Sequence, residues 1–368
     1  MRSRLSHVAA IALLFLLSVA VAWTKPGESS SGDYKVLGPI TSGNLTIYPV
    51  VASRSYDTSQ FITLDEGLRS GAVQVTEYGQ LQRMVRRPLP YPQPRGNAEV
   101  NRLMLVNNSD RPLLLLAGEI VTGGKQDRVV GADRIVPAQS GPVDMSVFCV
   151  EPGRWTSTTG QFHGAAAPMA QPSVRRQRDQ QSVWDNVRAS QNNAAKALPA
   201  REAAVIGGTT SYATVMQNDA VEQNLDKLSK PIQENYDSVM RALRDRHAVG
   251  VVVAVNGRLI WADLFASTAL LQSYWPKLVR SYAAEAFTAG SMPRRDSKAN
   301  AQDFLNELSG RREVVETDPG VYRRSEITGD AFKVFTLTSL LPKTGFEVHI
   351  AKMADDDVVF PMGPRLQR

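Results

Sequence analysis

Three short stretches carry residue types and spacings that bear on chemistry. The first runs from Gly118 through Glu119 to Gly123-Gly124-Lys125-Gln126-Asp127-Arg128. A phosphate loop needs two glycines separated by four residues, then Lys and Ser or Thr, so that backbone amides and the lysine surround phosphate. Here five residues separate Gly118 from Gly124, and Gln126 stands where the hydroxyl belongs. The segment that follows reads as a strand, so no helix N-terminus receives an anion. A nucleotide triphosphatase is therefore excluded. What remains is a turn in which Gly123 and Gly124 expose amides, and Lys125, Gln126 and Arg128 can contact an anion or polar ligand. A tight hairpin with a solvated rim uses the same residues.

The second stretch, Cys149-Val150-Glu151-Pro152-Gly153-Arg154-Trp155, superficially matches a phosphatase cysteine loop. That loop holds five residues between Cys and Arg; only four lie between them here. Cys149 also ends an apolar strand, where a buried, inert thiol is the common case. Glu151 and Arg154 either join Lys125 and Arg128 at a ligand or pair with each other to close the loop, with Trp155 over the sheet edge. The third stretch, Trp261-Ala262-Asp263-Leu264-Phe265, sets a carboxylate on an apolar strand. Such a group needs a partner or a cleft. Glu119, just past a run of four leucines, poses the same question. If Glu119 and Asp263 converge they form an acid/base pair. His163, His247 and His349 show no metal-ligand spacing and no nucleophile elbow, so neither a zinc enzyme nor a serine hydrolase has support, and no cofactor is expected.

The elements that must position these groups follow from periodicity. Short apolar segments at 45–50, 61–64, 72–76, 101–106, 113–116, 128–130, 134–136 and 143–150, separated by turn residues, read as antiparallel strands. Residues 65–68 fall between two of them. A helix is expected over 182–197. A stronger one is expected over 219–246, capped by Asp219 with Glu222 three residues on, and kinked or split by Pro231. Residues 249–255 form a near-continuous apolar strand, and Asn256-Gly257 marks a two-residue hairpin. Ser267 caps a helix whose face carries Leu270, Leu271, Tyr274, Trp275, Leu278, Val279, Tyr282 and Ala286. A short helix at 301–308 and strands at 312–317, 323–327, 332–337 and 346–351 close the chain. The fold class is α+β: an N-terminal antiparallel sheet or sandwich half, then a mixed half with long helices packed on strands. The corresponding division is 1–22 signal peptide, 23–34 flexible leader, 35–155 β-rich half, 156–180 linker, 181–352 α+β half and 353–368 disordered tail. The C-terminal strands could also complete the first sheet.

The 368 residues are 43% hydrophobic and 21% charged, enough to bury a full core. Arg2 and Arg4, an apolar run over 8–19 and Ala20-Val21-Ala22 have the form of a cleaved secretory signal ending before Trp23. The second choice is an uncleaved N-terminal anchor, which would be the only membrane contact. The expected compartment is periplasmic or extracellular. Without Arg2 and Arg4 the formal charge of +6 falls to about +4. The one basic cluster, Arg175, Arg176 and Arg178, lies in a Gln/Pro-rich connector, so nucleic acid is not an expected partner. A single cysteine rules out an intramolecular disulfide.

The three motifs, extended to residues 115–128, 149–155 and 255–265, resemble in one order the ADP-ribosylglycohydrolase- and rhodanese/phosphatase-associated protein domain, a bacterial family. The resemblance covers about residues 35–352. It implies a link to NAD or ADP-ribose metabolism and supplies no catalytic residues. The leading expectation is a non-enzymatic ligand-binding or accessory protein of the cell envelope. Gly123, Gly124, Lys125, Gln126, Arg128, Glu151 and Arg154 would line a site for a small anionic or polar ligand. One alternative is a hydrolase of a nucleotide- or ADP-ribose-like substrate using Glu119 and Asp263. Another is a protein–protein scaffold, marked by an exposed apolar patch on the long helices.

Overall fold

The computed structural model describes residues 34–78, 99–155, 162–164, 179–242, 247–290 and 301–355. The expected signal, nearly all of the leader, the basic cluster and most of the linker and tail lie outside them. The mixed α+β class holds. Its centre is a nine-stranded antiparallel sheet. β1 (Tyr34–Val36) and β2 (Ile40–Ser42) both pair with β3 (Leu45–Ala52). From β3 the order runs through β14 (His247–Val255), β15 (Arg258–Phe265), β19 (Glu347–Ala354), β18 (Phe332–Ser339) and β17 (Tyr322–Thr328) to β16 (Arg311–Asp318). The expected boundary near residue 155 is thus crossed: β1–β3, from the N-terminal half, complete the sheet of the C-terminal half, rather than the reverse.

β14 is apolar at nearly every position because it is central and covered on both sides. Val251, Val253 and Val255 join the core on one side; Val252 and Ala254 join a separate core on the other. The β14–β15 hairpin turns at Asn256 and Gly257, with φ of 52° and 76°. Positive φ at both central residues is what a primed two-residue turn demands, and Asn-Gly supplies it at least strain.

Between β3 and the helices, three small sheets share their own core. They are β10 (Arg134–Val136), β7 (Leu113–Leu115) and β4 (Ile62–Thr63); β11 (Val143–Asp144), β6 (Leu103–Asn107) and β5 (Val73–Glu77); and β12 (Val147–Cys149), β9 (Arg128–Val130), β8 (Ile120–Thr122) and β13 (His163–Gly164). Leu113 and Leu115 sit in this core, while Leu114 and Leu116 reach the main one, which is why the leucine run does not alternate. Residues 65–68 are not a strand link but part of helix α1 (Leu64–Ser70). Thr63 Oγ1 accepts from the Glu66 amide at 3.3 Å and Glu66 Oε2 accepts from the Thr63 amide at 3.0 Å, a capping box written in the sequence as Thr-Leu-Asp-Glu.

The remaining helices are α2 (Gln180–Lys196), α3 (Ala200–Gly207), α4 (Tyr212–Met216), α5 (Asp219–Ala242), α6 (Thr268–Ala289) and α7 (Ala301–Asn306). The sequence reading missed the short α3 and α4. Ser267 caps α6 as expected, its Oγ accepting from the Leu270 amide at 3.0 Å, and the apolar face of α6 is buried. For α5 the cap is corrected to Asn218, whose Oδ1 accepts from the Ala220 amide at 3.0 Å, while Asp219 is already helical. Nor does Pro231 split α5. Proline leaves the Lys227 carbonyl without its usual donor, and Ser42 Oγ fills the gap at 3.2 Å. Among the described residues no helix is long and apolar enough to cross a membrane.

Asn218→Ala should lower stability by ~1 kcal/mol in denaturant unfolding. At high salt, where helix-dipole effects are screened, Asp219→Ala should cost clearly less. Equal costs would return the cap to Asp219.

Candidate functional site

Strands β8 and β9 bring the glycine turn against the β12 loop. A Cβ at Gly124 would lie 2.2 Å from the Phe162 ring and 2.7 Å from Glu77 Oε1, so only glycine lets the turn approach this carboxylate. Glu77, at the end of β5, accepts from the Lys125 amide at 2.7 Å. Asp127 accepts from the Gly123 amide at 3.1 Å and from Ser211 Oγ at 3.0 Å. Arg154 donates to the Gly124 carbonyl at 3.0 Å and pairs with Glu151 at 2.5 Å and with Asp127 at 3.4 Å. Glu151 in turn accepts from the Asp127 amide at 3.2 Å, and its carbonyl takes Gln126 Nε2 at 3.2 Å. The seven residues expected to line a ligand site therefore gather in one node. Glu151 and Arg154 close the loop by pairing with each other, the plainer of their two expected roles.

Arg128 differs from its neighbours. It is 0% exposed, and its Nε donates to the Val100 carbonyl at 2.7 Å. Among the described residues its two terminal nitrogens make no hydrogen bond; Glu77 Oε2, which also makes none, forms a long ion pair with Nη2 at 3.9 Å. Trp155, 40% exposed, stands over both cations, with its ring centroid 5.9 Å from Arg128 Cζ and 4.9 Å from Lys125 Nζ. Cys149 is buried beside this node. Burial pushes its thiol up, opposite to the shift a nucleophile needs.

The two carboxylates proposed as acid and base are not brought to a common substrate cleft. Asp263 is fully buried: its Oδ2 accepts from Trp261 Nε1 and Tyr282 OH, both at 2.8 Å, and its Oδ1 lies 3.3 Å from His349 Nε2. His349 Nδ1 is 2.7 Å from Asp133 Oδ2, and Asp133 Oδ1 accepts from the Ala117 amide at 2.8 Å. Burial pushes the imidazole down, but the Asp133 charge and hydrogen bond, with those of Asp263, outweigh it and leave it above its usual value. With a carboxylate at each ring nitrogen, His349 has no free position from which to act on a substrate. Glu119 occupies the next turn of chain. Its Oε2 accepts from the Leu116 amide at 2.8 Å, and its Oε1 faces Lys277 Nζ at 3.5 Å, which Asp65 holds at 2.6 Å. Glu119 and Asp263 thus stand at two ends of one polar network, bridged by the consecutive amides of Leu116 and Ala117. Among the described residues no group of three or more His, Cys, Asp or Glu is arranged to hold a metal ion.

Sequence reading missed Glu77, Asp133, Lys277 and His349. The signal for the last two was available: a lysine on the apolar face of α6, and a histidine inside Val-His-Ile on a buried strand.

A large antiparallel sheet carrying an inserted set of small sheets, with a loop node of paired charges, defines an α+β domain. The sequence profile of ARPP-1, the ARG and Rhodanese-Phosphatase-superfamily-associated Protein domain, matches residues 33–351, and the chain belongs to this family. No curated protein and no solved structure matches it.

Burial raises the Glu119 carboxyl from 4.5 to about 7, against the lowering pull of Lys277. A raised folded-state value means that the stabilisation is complete below pH 4.5 and is lost as pH rises through about 7. Relative to Glu119→Gln, the wild-type chain should lose ~3 kcal/mol of unfolding free energy across that window. A pH-independent difference between the two proteins would disprove this.

Proposed function

We propose that the chain is an exported ligand-binding accessory protein of the cell envelope that takes the anionic group of a small molecule at the node of Lys125, Arg128 and Trp155. The observation that carries this is Arg128: a buried guanidinium offers five donors, and among the described residues its terminal nitrogens make no hydrogen bond and only a long 3.9 Å ion pair with Glu77, beneath an exposed indole. An incoming carboxylate or phosphate would supply the missing acceptors in the fork geometry that arginine favours. Gly123, Gly124, Gln126, Glu151 and Arg154 hold the loop that presents these groups. The family description names ARG, which motivates NAD, ADP-ribose and AMP as first compounds. The hydrolase reading needs Glu119 and Asp263 in one open cleft, and both are buried among protein partners. The scaffold reading needs an apolar patch on the long helices. The exposed large apolar residues instead include Trp155, Val205, Val314 and Val315, none of them on α5 or α6.

A thermal-shift panel of ADP-ribose, NAD, AMP, inorganic phosphate and sugars tests the reading. A ligand at ~100 times its dissociation constant stabilises the native state by ~2.7 kcal/mol. The shift should vanish in Lys125→Ala/Arg128→Ala and weaken in the surface variants Lys125→Ala and Trp155→Ala. No shift with any compound, or one indifferent to all these variants, overturns the site. The export half is checked separately: N-terminal sequencing of the secreted product should begin at Trp23, and recovery of Arg2 and Arg4 in the mature chain would refute cleavage.

A further inference from the structure

A second set of unmatched donors lies in a cleft of about 310 Å³. One wall is the β16–β18 edge of the large sheet; the other is the β9–β10 turn with the start of β12. Its charge centre is Glu316, whose Oε1 accepts from Tyr322 OH at 2.5 Å and Arg134 at 2.9 Å, and whose Oε2 pairs with Arg324 at 2.8 Å. Burial raises the Glu316 carboxyl, but these three partners outweigh it and keep it ionised. Both carboxylate oxygens are therefore committed; Asp133 and Glu326 are the other carboxylates in the lining. Arg324 Nε is buried with no acceptor among the described residues. Lys333 also lines the cleft and makes no ion pair among the described residues. Phe335 follows Lys333 by two residues on the same face of β18, and Phe148 of β12 lines the cleft from the other wall.

We propose that this cleft binds a small carboxylate carrying an aromatic or branched apolar body. Its carboxylate would be met by Lys333 and Arg324, and its body would lie between Phe148 and Phe335. Glu326, paired across the strands with Phe335 and also in the lining, disfavours a doubly charged anion. Volumes of ~300–1,000 Å³ with apolar walls and a few polar groups are typical of small-molecule sites. The site shares no residue with the Lys125–Arg128–Trp155 node and stands or falls independently of it.

Calorimetric titration of the full chain with phenylacetate, phenylacetamide and 2-phenylethylamine tests it. Phenylacetate should bind, with the neutral amide and the amine at least roughly tenfold weaker. Lys333→Ala, a half-exposed change that spares the Glu316 pairs, should weaken phenylacetate roughly tenfold, and Lys125→Ala should leave it unchanged. Absence of phenylacetate binding up to millimolar concentration overturns the proposal. So does equal binding of the amide, or wild-type affinity in Lys333→Ala.

Discussion

His349, with a carboxylate 2.7 Å from one ring nitrogen and another 3.3 Å from the other, is the contact on which the architecture depends. Taking such groups out of water costs several kcal/mol per ion, recovered only if the remaining polar atoms are also satisfied. Here Trp261 and Tyr282 serve Asp263 Oδ2 and the Ala117 amide serves Asp133, while Asp263 Oδ1 and His349 Nε2 have only their 3.3 Å ion-pair contact with each other. The three members come from β15, β19 and the turn after β9, so the inserted small sheets dock on the large sheet through a charge cluster as well as an apolar contact. An apolar interface tolerates sliding. A histidine held by two carboxylates does not, because a shift of either wall leaves a buried charge unmatched.

The same accounting explains the rest of the polar interior. At the glycine turn, Glu77, Asp127 and Glu151 stand against Arg128, Arg154 and Lys125. Most of these charges are spent on each other or on backbone amides, so the node reads first as a way to hold a tight loop. What is left over after that matching, and what the proposed site would draw on, is the pair of terminal nitrogens of Arg128. The cleft beside β16 follows the same logic, with Glu316 fully committed and Arg324 Nε left over.

How far the sequence reveals this depends on whether a feature is local. The Asn-Gly hairpin, the Ser267 cap, the apolar face of α6 and the terminal strands are set by neighbouring residues and were legible. The capping box that makes α1 a helix was equally local, but two flanking β-rich segments obscured it. The position of β1–β3 was not legible, because strand order depends on contacts across roughly 200 residues of chain. Nor was the Asp133–His349 pair, separated by 216 positions. Among the candidate site residues, the loops of Lys125 and Arg154 come together, Arg154 donating to the Gly124 carbonyl. Glu119 and Asp263 each lie among other buried partners, and nothing in the spacing of either names Lys277 or His349.

The terminal nitrogens of Arg128 sit on a short strand that is held from several sides. The Gly118 amide donates to the Val130 carbonyl at 2.9 Å, the Val130 amide to the Glu119 carbonyl at 2.8 Å, and the Gly131 amide to the Ser146 carbonyl at 3.2 Å. Arg128 begins β9, and Asp133, anchored to His349, follows just past its end. A ligand at Arg128 therefore meets a guanidinium that cannot move far toward it, since the strand behind is fixed at both ends. Such preorganisation removes much of the ordering cost of binding, and it also sets the requirement: the ligand must bring its acceptors to the donors. A site built this way should discriminate by the placement of negative charge more than by the bulk that accompanies it.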